Sequence, residues 1–142
     1  MSAEDLYHAE LVRLAREGFG GGHLDAPAGV ATLDSPLCGD RVTVEVRLAG
    51  GRIEAVAHRV LGCVLCQASA SLLGRGATGR TVAEVEVARQ GLAALLGRGE
   101  PIATGPFGGL SVFAPVRTVP SRHACVLLPF DALRAAIAGA RE

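Results

Sequence analysis

From Arg41 to Leu48 the chain alternates. Val42, Val44, Val46 and Leu48 fall on one side, and Thr43, Glu45 and Arg47 on the other. A period of two is that of a half-buried strand. The run Ala49-Gly50-Gly51-Arg52 then turns the chain, and residues 53–60 (IEAVAHRV) return it, so the two stretches predict an antiparallel hairpin. A short apolar run just upstream, GVATL at 29–33, predicts a further strand. The period changes in EDLYHAELVRLARE, where Tyr7, Leu11 and Leu14 recur at helical spacing and predict an amphipathic N-terminal helix.

Downstream of the hairpin the pattern is helical. GCVLCQASASLLGRG is rich in small residues suited to a tightly packed helix, with Gly74 and Gly76 as stop signals. Thr81 and Glu84 have the spacing of a capping box and open another helix, whose stripe Val85, Leu92, Leu95 and Leu96 is core. Proline and glycine mark residues 100–109 as a loop. The segment from Ser121 to the end reads as a helix with a break or kink near Pro129. The glycine-rich GFGGGHLDAPAG has neither a GxGxxG before a helix nor a Lys-Ser/Thr pair, so it is not a phosphate cradle. This order predicts an α+β fold, one domain over residues 1–142, with helices laid on a small antiparallel sheet.

Composition narrows the function classes. The chain is 49% hydrophobic but only 4% aromatic, so aliphatic side chains must build the core. Fourteen arginines and no lysine balance fourteen acidic residues. A neutral chain lacks the basic excess that a nucleic-acid or anionic-membrane surface needs. The acidic start and the lack of a long apolar run predict neither a secretory signal nor a membrane span. The four cysteines are therefore expected to be thiols of a reducing, cytoplasmic compartment, where such sets serve metal binding or catalysis more often than disulfides.

Three positions carry candidate chemistry. Cys38 and Asp40 flank Gly39 at the entrance to the main strand, and residues two apart in extended chain point the same way. Cys63 stands where a helix begins, and free N–H groups with the positive end of the helix dipole favour its thiolate. Cys125 lies on the C-terminal helix. The gaps of 24 and 61 residues between these cysteines match no zinc-finger spacing. On bare chemistry a shared metal site and cysteines packed as small hydrophobes both remain open.

The motifs SPLCGDRV, GCVLCQASASLL and SRHAC, in this order and with a hairpin between the first two, resemble the U-type iron–sulfur scaffold family (IscU, the NifU N-terminal domain, SufU). The resemblance runs from LYHAELV to the C-terminal helix. The long insertion between the second and third motif cysteines, and Arg122 three residues before Cys125, are closer to the SufU branch. The resemblance implies a three-stranded antiparallel sheet packed against several helices, and a site made of Cys38, Asp40, Cys63 and Cys125. It also implies an accessory protein without turnover of its own. Such a protein would accept sulfur from a SufS-like cysteine desulfurase, hold zinc or a labile [2Fe–2S] cluster, and serve recipient apo iron–sulfur proteins. By the same resemblance Cys38 is the first candidate sulfur acceptor, Cys125 the second, and Arg122 an assisting residue.

Three thiolates and one carboxylate hold a cluster less firmly than four thiolates, which suits delivery, and S₃O is an acceptable tetrahedral set for zinc. Two departures stand out. IscU relatives carry a histidine immediately before the last cysteine, where this chain has Ala124. His123 is one residue further back, about 100° around a helix. The Leu-Pro-Pro-Val-Lys chaperone motif is absent. Cys66 is an additional cysteine. With Cys63 it forms a C-x-x-C pattern that also describes thiol–disulfide oxidoreductases, although those need a βαβ context. Cys66 is expected to pack as a hydrophobe. A structural zinc-binding interaction domain is the other rival reading. His8 and His23 are expected at the surface, His58 in solvent or a local hydrogen bond, and Ser69 and Ser71 in helix packing. His123 is a candidate neighbour of the metal.

Overall fold

The alternating run folds as expected and supplies the central strand of the molecule. The computed structural model describes residues 3–36 and 39–140, and side chains in the first helix from residue 8 onward. β1 (Gly29–Ser35), β2 (Asp40–Ala49) and β3 (Arg52–Leu61) form a three-stranded antiparallel sheet in the order β1-β2-β3. Val42, Val44 and Val46 are fully buried on one face. Their ladder partners Val60, His58 and Val56 share that face. Gly50 and Gly51 take left-handed conformations (φ 59° and 77°) in the hairpin turn, which glycine adopts without steric cost.

The helices are α1 (Ala3–Glu17), α2 (Val64–Ala77), α3 (Val82–Arg98) and α4 (His123–Ala138). α4 packs on β1 and β2, α2 on β3, α1 against α2, and α3 against α4. The core joins Val42, Val44, Val46 and Ile53 of the sheet to Leu14, Leu73, Leu92, Leu96, Phe130 and Leu133 of the helices. α3 begins as expected: the Thr81 hydroxyl accepts from the Glu84 N–H, and the Glu84 carboxylate accepts from the Thr81 N–H. Val85, Leu92, Leu95 and Leu96 are all buried.

Three expectations are corrected. α2 does not stop at Gly74 or Gly76 but runs through both to Ala77. Gly74 is there for contact: a Cβ on it would lie 2.6 Å from the Phe19 carbonyl carbon. Gly76 is likewise pressed against the Phe107 ring. Of the break or kink expected near Pro129, the break is absent: α4 runs from His123 to Ala138 across it. Ser121 and Arg122 belong to a short 3₁₀ turn before α4. A longer 3₁₀ segment, Gly108–Thr118, buries Leu110, Phe113 and Val116 where no periodic pattern announces it. Among the described residues no helix is long and apolar enough to cross a membrane.

The glycine-rich loop after α1 lies along the free edge of β3. The His58 N–H donates to the Gly20 carbonyl (2.9 Å), and the Gly22 N–H to the His58 carbonyl (3.0 Å). On the outer sheet face Glu45 departs from the alternation. It is buried because Arg59, His23 and the Leu24 N–H all engage its carboxylate, which holds its pKa below the usual range.

Candidate metal centre

The end of β3 and the start of β2 lie side by side, since Leu61 is the ladder partner of Arg41. This places Asp40, the first residue of β2, against Gly62 and Cys63. Gly62 must be glycine here: a Cβ on it would lie 2.7 Å from the Asp40 carboxyl carbon. The Cys63 N–H donates to Asp40 Oδ1 (3.1 Å), and Cys63 Sγ lies 3.4 Å from Asp40 Oδ2. Cys63 is the N-cap of α2 (φ −72°, ψ 169°), so its side chain projects beside the first unpaired N–H groups of that helix.

Cys125 arrives from the other end of the chain, in the first turn of α4. One donor atom each from Asp40, Cys63 and Cys125 fall within 4.8 Å of one another. Asp40 is 3% exposed and Cys125 fully buried, while Cys63 is half-buried. The group is thus sheltered, and Cys63 is the most exposed of these three. Cys38, the remaining member of the expected set, lies outside the described residues.

The electrostatics favour an anionic sulfur. The Cys125 thiol beside it is the largest influence on Cys63, bringing its pKa from 9.0 to about 6. Desolvation opposes this, the Cys66 backbone N–H assists it, and the Asp40 carboxylate opposes it. Like charges at Asp40 and Cys63 thus repel, and a cation placed between them would remove the conflict. Two soft sulfurs with one carboxylate suit zinc or iron, not the all-oxygen preference of magnesium or calcium.

A lowered thiol pKa has a measurable sign. The thiolate is the reactive form, so metal-free protein treated with iodoacetamide is expected to show Cys63 modification rising through about pH 6 and flat above about pH 7.5. Cys66, with no exposed surface, is expected to stay unmodified in the folded state. Peptide mass spectrometry across a pH series reads both. A Cys63 rate still climbing near pH 9 would mean an ordinary thiol.

Other residues singled out from the sequence fall elsewhere. Cys66 is fully buried in the core, as expected of a hydrophobe. His123 turns toward the 3₁₀ segment, its Nε2 lying 3.0 Å from the Val116 carbonyl and 3.2 Å from that of Arg117. It is therefore not part of the donor group. The Arg122 residue is exposed, and its carbonyl lies 3.1 Å from Cys125 Sγ. His58 is buried, not solvated, with Nε2 2.6 Å from the Phe19 carbonyl, and burial lowers its pKa. His8 is exposed. His23 is also exposed, though tied to Glu45. Ser69 donates to the Val126 carbonyl, and Ser71 accepts from the Phe19 N–H, both as helix-packing residues.

Two residues of the site escaped sequence reasoning. Gly62 was visible as a glycine before a helix, but its reason, Asp40, is a tertiary neighbour. Gln67 gave no signal at all; its side-chain amide donates to the Gly62 carbonyl at 2.9 Å.

Comparison with known proteins covers the same ground. Residues 7–139 match the family model of the NifU-like N-terminal domain. The crystal structure of a nitrogen-fixing NifU-like protein (N-terminal) from Brucella abortus superposes with a TM-score of 0.90 at 36% identity, covering 96% of this chain and 94% of that one. The iron–sulfur cluster assembly scaffold protein IscU of Thermotoga maritima is 27% identical over 120 residues, 82% of this chain and 81% of its own length. Two such IscU proteins of Archaeoglobus fulgidus are 31% identical over 77 residues, 54% of this chain. The matched part spans about half the length of those two relatives (50%).

Proposed function

Because the chain belongs to the NifU-like N-terminal domain family, whose relatives include iron–sulfur cluster assembly scaffold proteins, we propose that it accepts sulfur and carries a metal cargo in that process. Cys38, Asp40, Cys63 and Cys125 are the proposed ligands, and the cargo is zinc or a labile [2Fe–2S] cluster. The observation that carries the reading is the convergence of Asp40, Cys63 and Cys125 within 4.8 Å, from three elements remote in sequence.

Sulfur arrives as the outer atom of a persulfide on a cysteine desulfurase. A Cys38 thiolate attacks that atom, a new S–S bond forms, the desulfurase S–S bond breaks, and the desulfurase cysteine leaves as a thiolate. One thiolate is consumed and one released, so no external oxidant or reductant is required. Arg122 is the proposed assisting residue. Asp40, the harder ligand, is the weakest attachment for iron bound to sulfide, which suits a protein that must hand its cargo on to apo iron–sulfur proteins.

Anaerobic reconstitution with iron, sulfide and a cysteine desulfurase tests this. Visible sulfur-to-iron charge-transfer absorption, or a several-fold rise in desulfurase turnover with zinc-loaded protein, is the expected result. Metal-replete protein that produces neither would overturn the proposal in favour of a structural zinc domain.

A further inference from the structure

The peptide between Gly62 and Cys63 is held from both sides. Its N–H donates to Asp40 Oδ1 (3.1 Å), and its carbonyl accepts from the Gln67 side-chain amide (2.9 Å). The Gln67 backbone N–H also takes the next carbonyl, that of Cys63, at 3.0 Å. Gln67 therefore fixes the orientation of this peptide at the mouth of α2. Polarisation along the chain amide–carbonyl–N–H–carboxylate strengthens the last bond, the one that orients Asp40. With Oδ1 occupied in this way, Oδ2 is the oxygen turned toward Cys63 Sγ, 3.4 Å away.

The geometry points to Gln67 as a positioning residue that governs, through the Gly62–Cys63 peptide, how firmly Asp40 holds the cargo. This rests on the ligand role proposed above for Asp40. Gln67 acts one hydrogen bond behind the carboxylate, through the Gly62 carbonyl. Partners of ligands in such positions typically alter metal affinity by about 10–100-fold. Among the described residues the half-buried Gln67 side chain makes one hydrogen bond, to the Gly62 carbonyl just ahead of α2, so its loss should leave the fold intact.

Gln67→Met keeps the length and removes the donor. The zinc-loaded variant is expected to lose its metal to a competing chelator about tenfold faster than the wild type. In the cobalt-substituted variant the d–d bands should shift, while the thiolate-to-cobalt charge-transfer intensity, which reports the sulfurs, stays constant. The thermal midpoint of the metal-free protein should move by no more than about 3 °C. Wild-type release with an unchanged cobalt spectrum would overturn the inference. So would faster release accompanied by a large fall in the metal-free midpoint and no shift of the d–d bands, because Gln67 would then be merely structural. If the wild type itself takes up neither zinc nor cobalt, the ligand role of Asp40 fails, and this inference with it. A wild type that binds both alongside an identical Gln67→Met variant would refute the inference alone.

Discussion

Cys63→Ser is expected to lower zinc affinity by at least about 100-fold and to abolish cluster absorption after reconstitution. The substitution is nearly isosteric, so the loss would not come from packing. A serine hydroxyl stays protonated near neutral pH and is a hard donor, whereas Cys63 is predominantly thiolate there, with its pKa at about 6. It also removes one of only two described sulfurs in the donor group. Chelator competition measures the affinity directly. The comparison that gives the result meaning is Cys66→Ser, one helical turn away. Cys66 is fully buried in the core and, among the described residues, stands outside the donor group, so a serine there should leave zinc affinity near the wild-type value. Equal zinc affinity for Cys63→Ser and wild type would remove Cys63 from the site. Loss of function confined to Cys66→Ser would instead favour the oxidoreductase reading.

Gly74→Ala carries the largest expected effect on the fold. By helix propensity alone the change should stabilise α2 by about 1 kcal/mol. Space decides otherwise. The new methyl group would lie 2.6 Å from the Phe19 carbonyl carbon and 3.0 Å from Gly20 Cα, both backbone atoms that cannot rotate away. Phe19 is itself held by its N–H to Ser71 and by its carbonyl to His58. Overpacking against such a fixed loop should cost about 3 kcal/mol, a fall of roughly 10 °C in thermal midpoint. Gly97 in α3 provides the opposite case, since a Cβ there meets nothing within 4 Å. Gly97→Ala should raise stability by about 0.5 kcal/mol. Thermal unfolding of the two variants reads the signs side by side, and a neutral Gly74→Ala would mean that the loop at Phe19 and Gly20 can yield to a methyl group.

These two positions also show which parts of the molecule were legible in the sequence. The hairpin was, because Val42, Val44 and Val46 obey the strand period and two glycines mark the turn. The start of α3 was, because a capping box is a local device. Gly74 and Gly76 were misread because a glycine required for close approach looks the same in sequence as one that ends a helix. Glu45 sits at a polar position of the alternation yet is buried, since its partners Arg59 and His23 come from other segments. The 3₁₀ segment at 108–118 has no repeat to detect. At the site, gaps of 24 and 61 residues carry no geometric information, and family resemblance, not spacing, linked Cys63 to Cys125. Gln67 and Gly62 acquire meaning only when Asp40 stands beside them.

The donors are unevenly divided along the chain. Asp40 and Cys63 belong to one continuous run, β2–β3–α2, whereas Cys125 comes on α4 after 61 further residues. An ion shared by all three is therefore a fastener between the first half of the polypeptide and its last helix. At a free ion concentration a hundred times its dissociation constant it adds about 2.7 kcal/mol of cohesion, concentrated on the seam between α2 and α4. Loaded molecules should accordingly protect the opening turn of α4 from amide hydrogen exchange. Unloading would return that turn to local breathing, so in the proposed carrier role the emptied molecule would be loosest at the turn that brings Cys125 to the other donors.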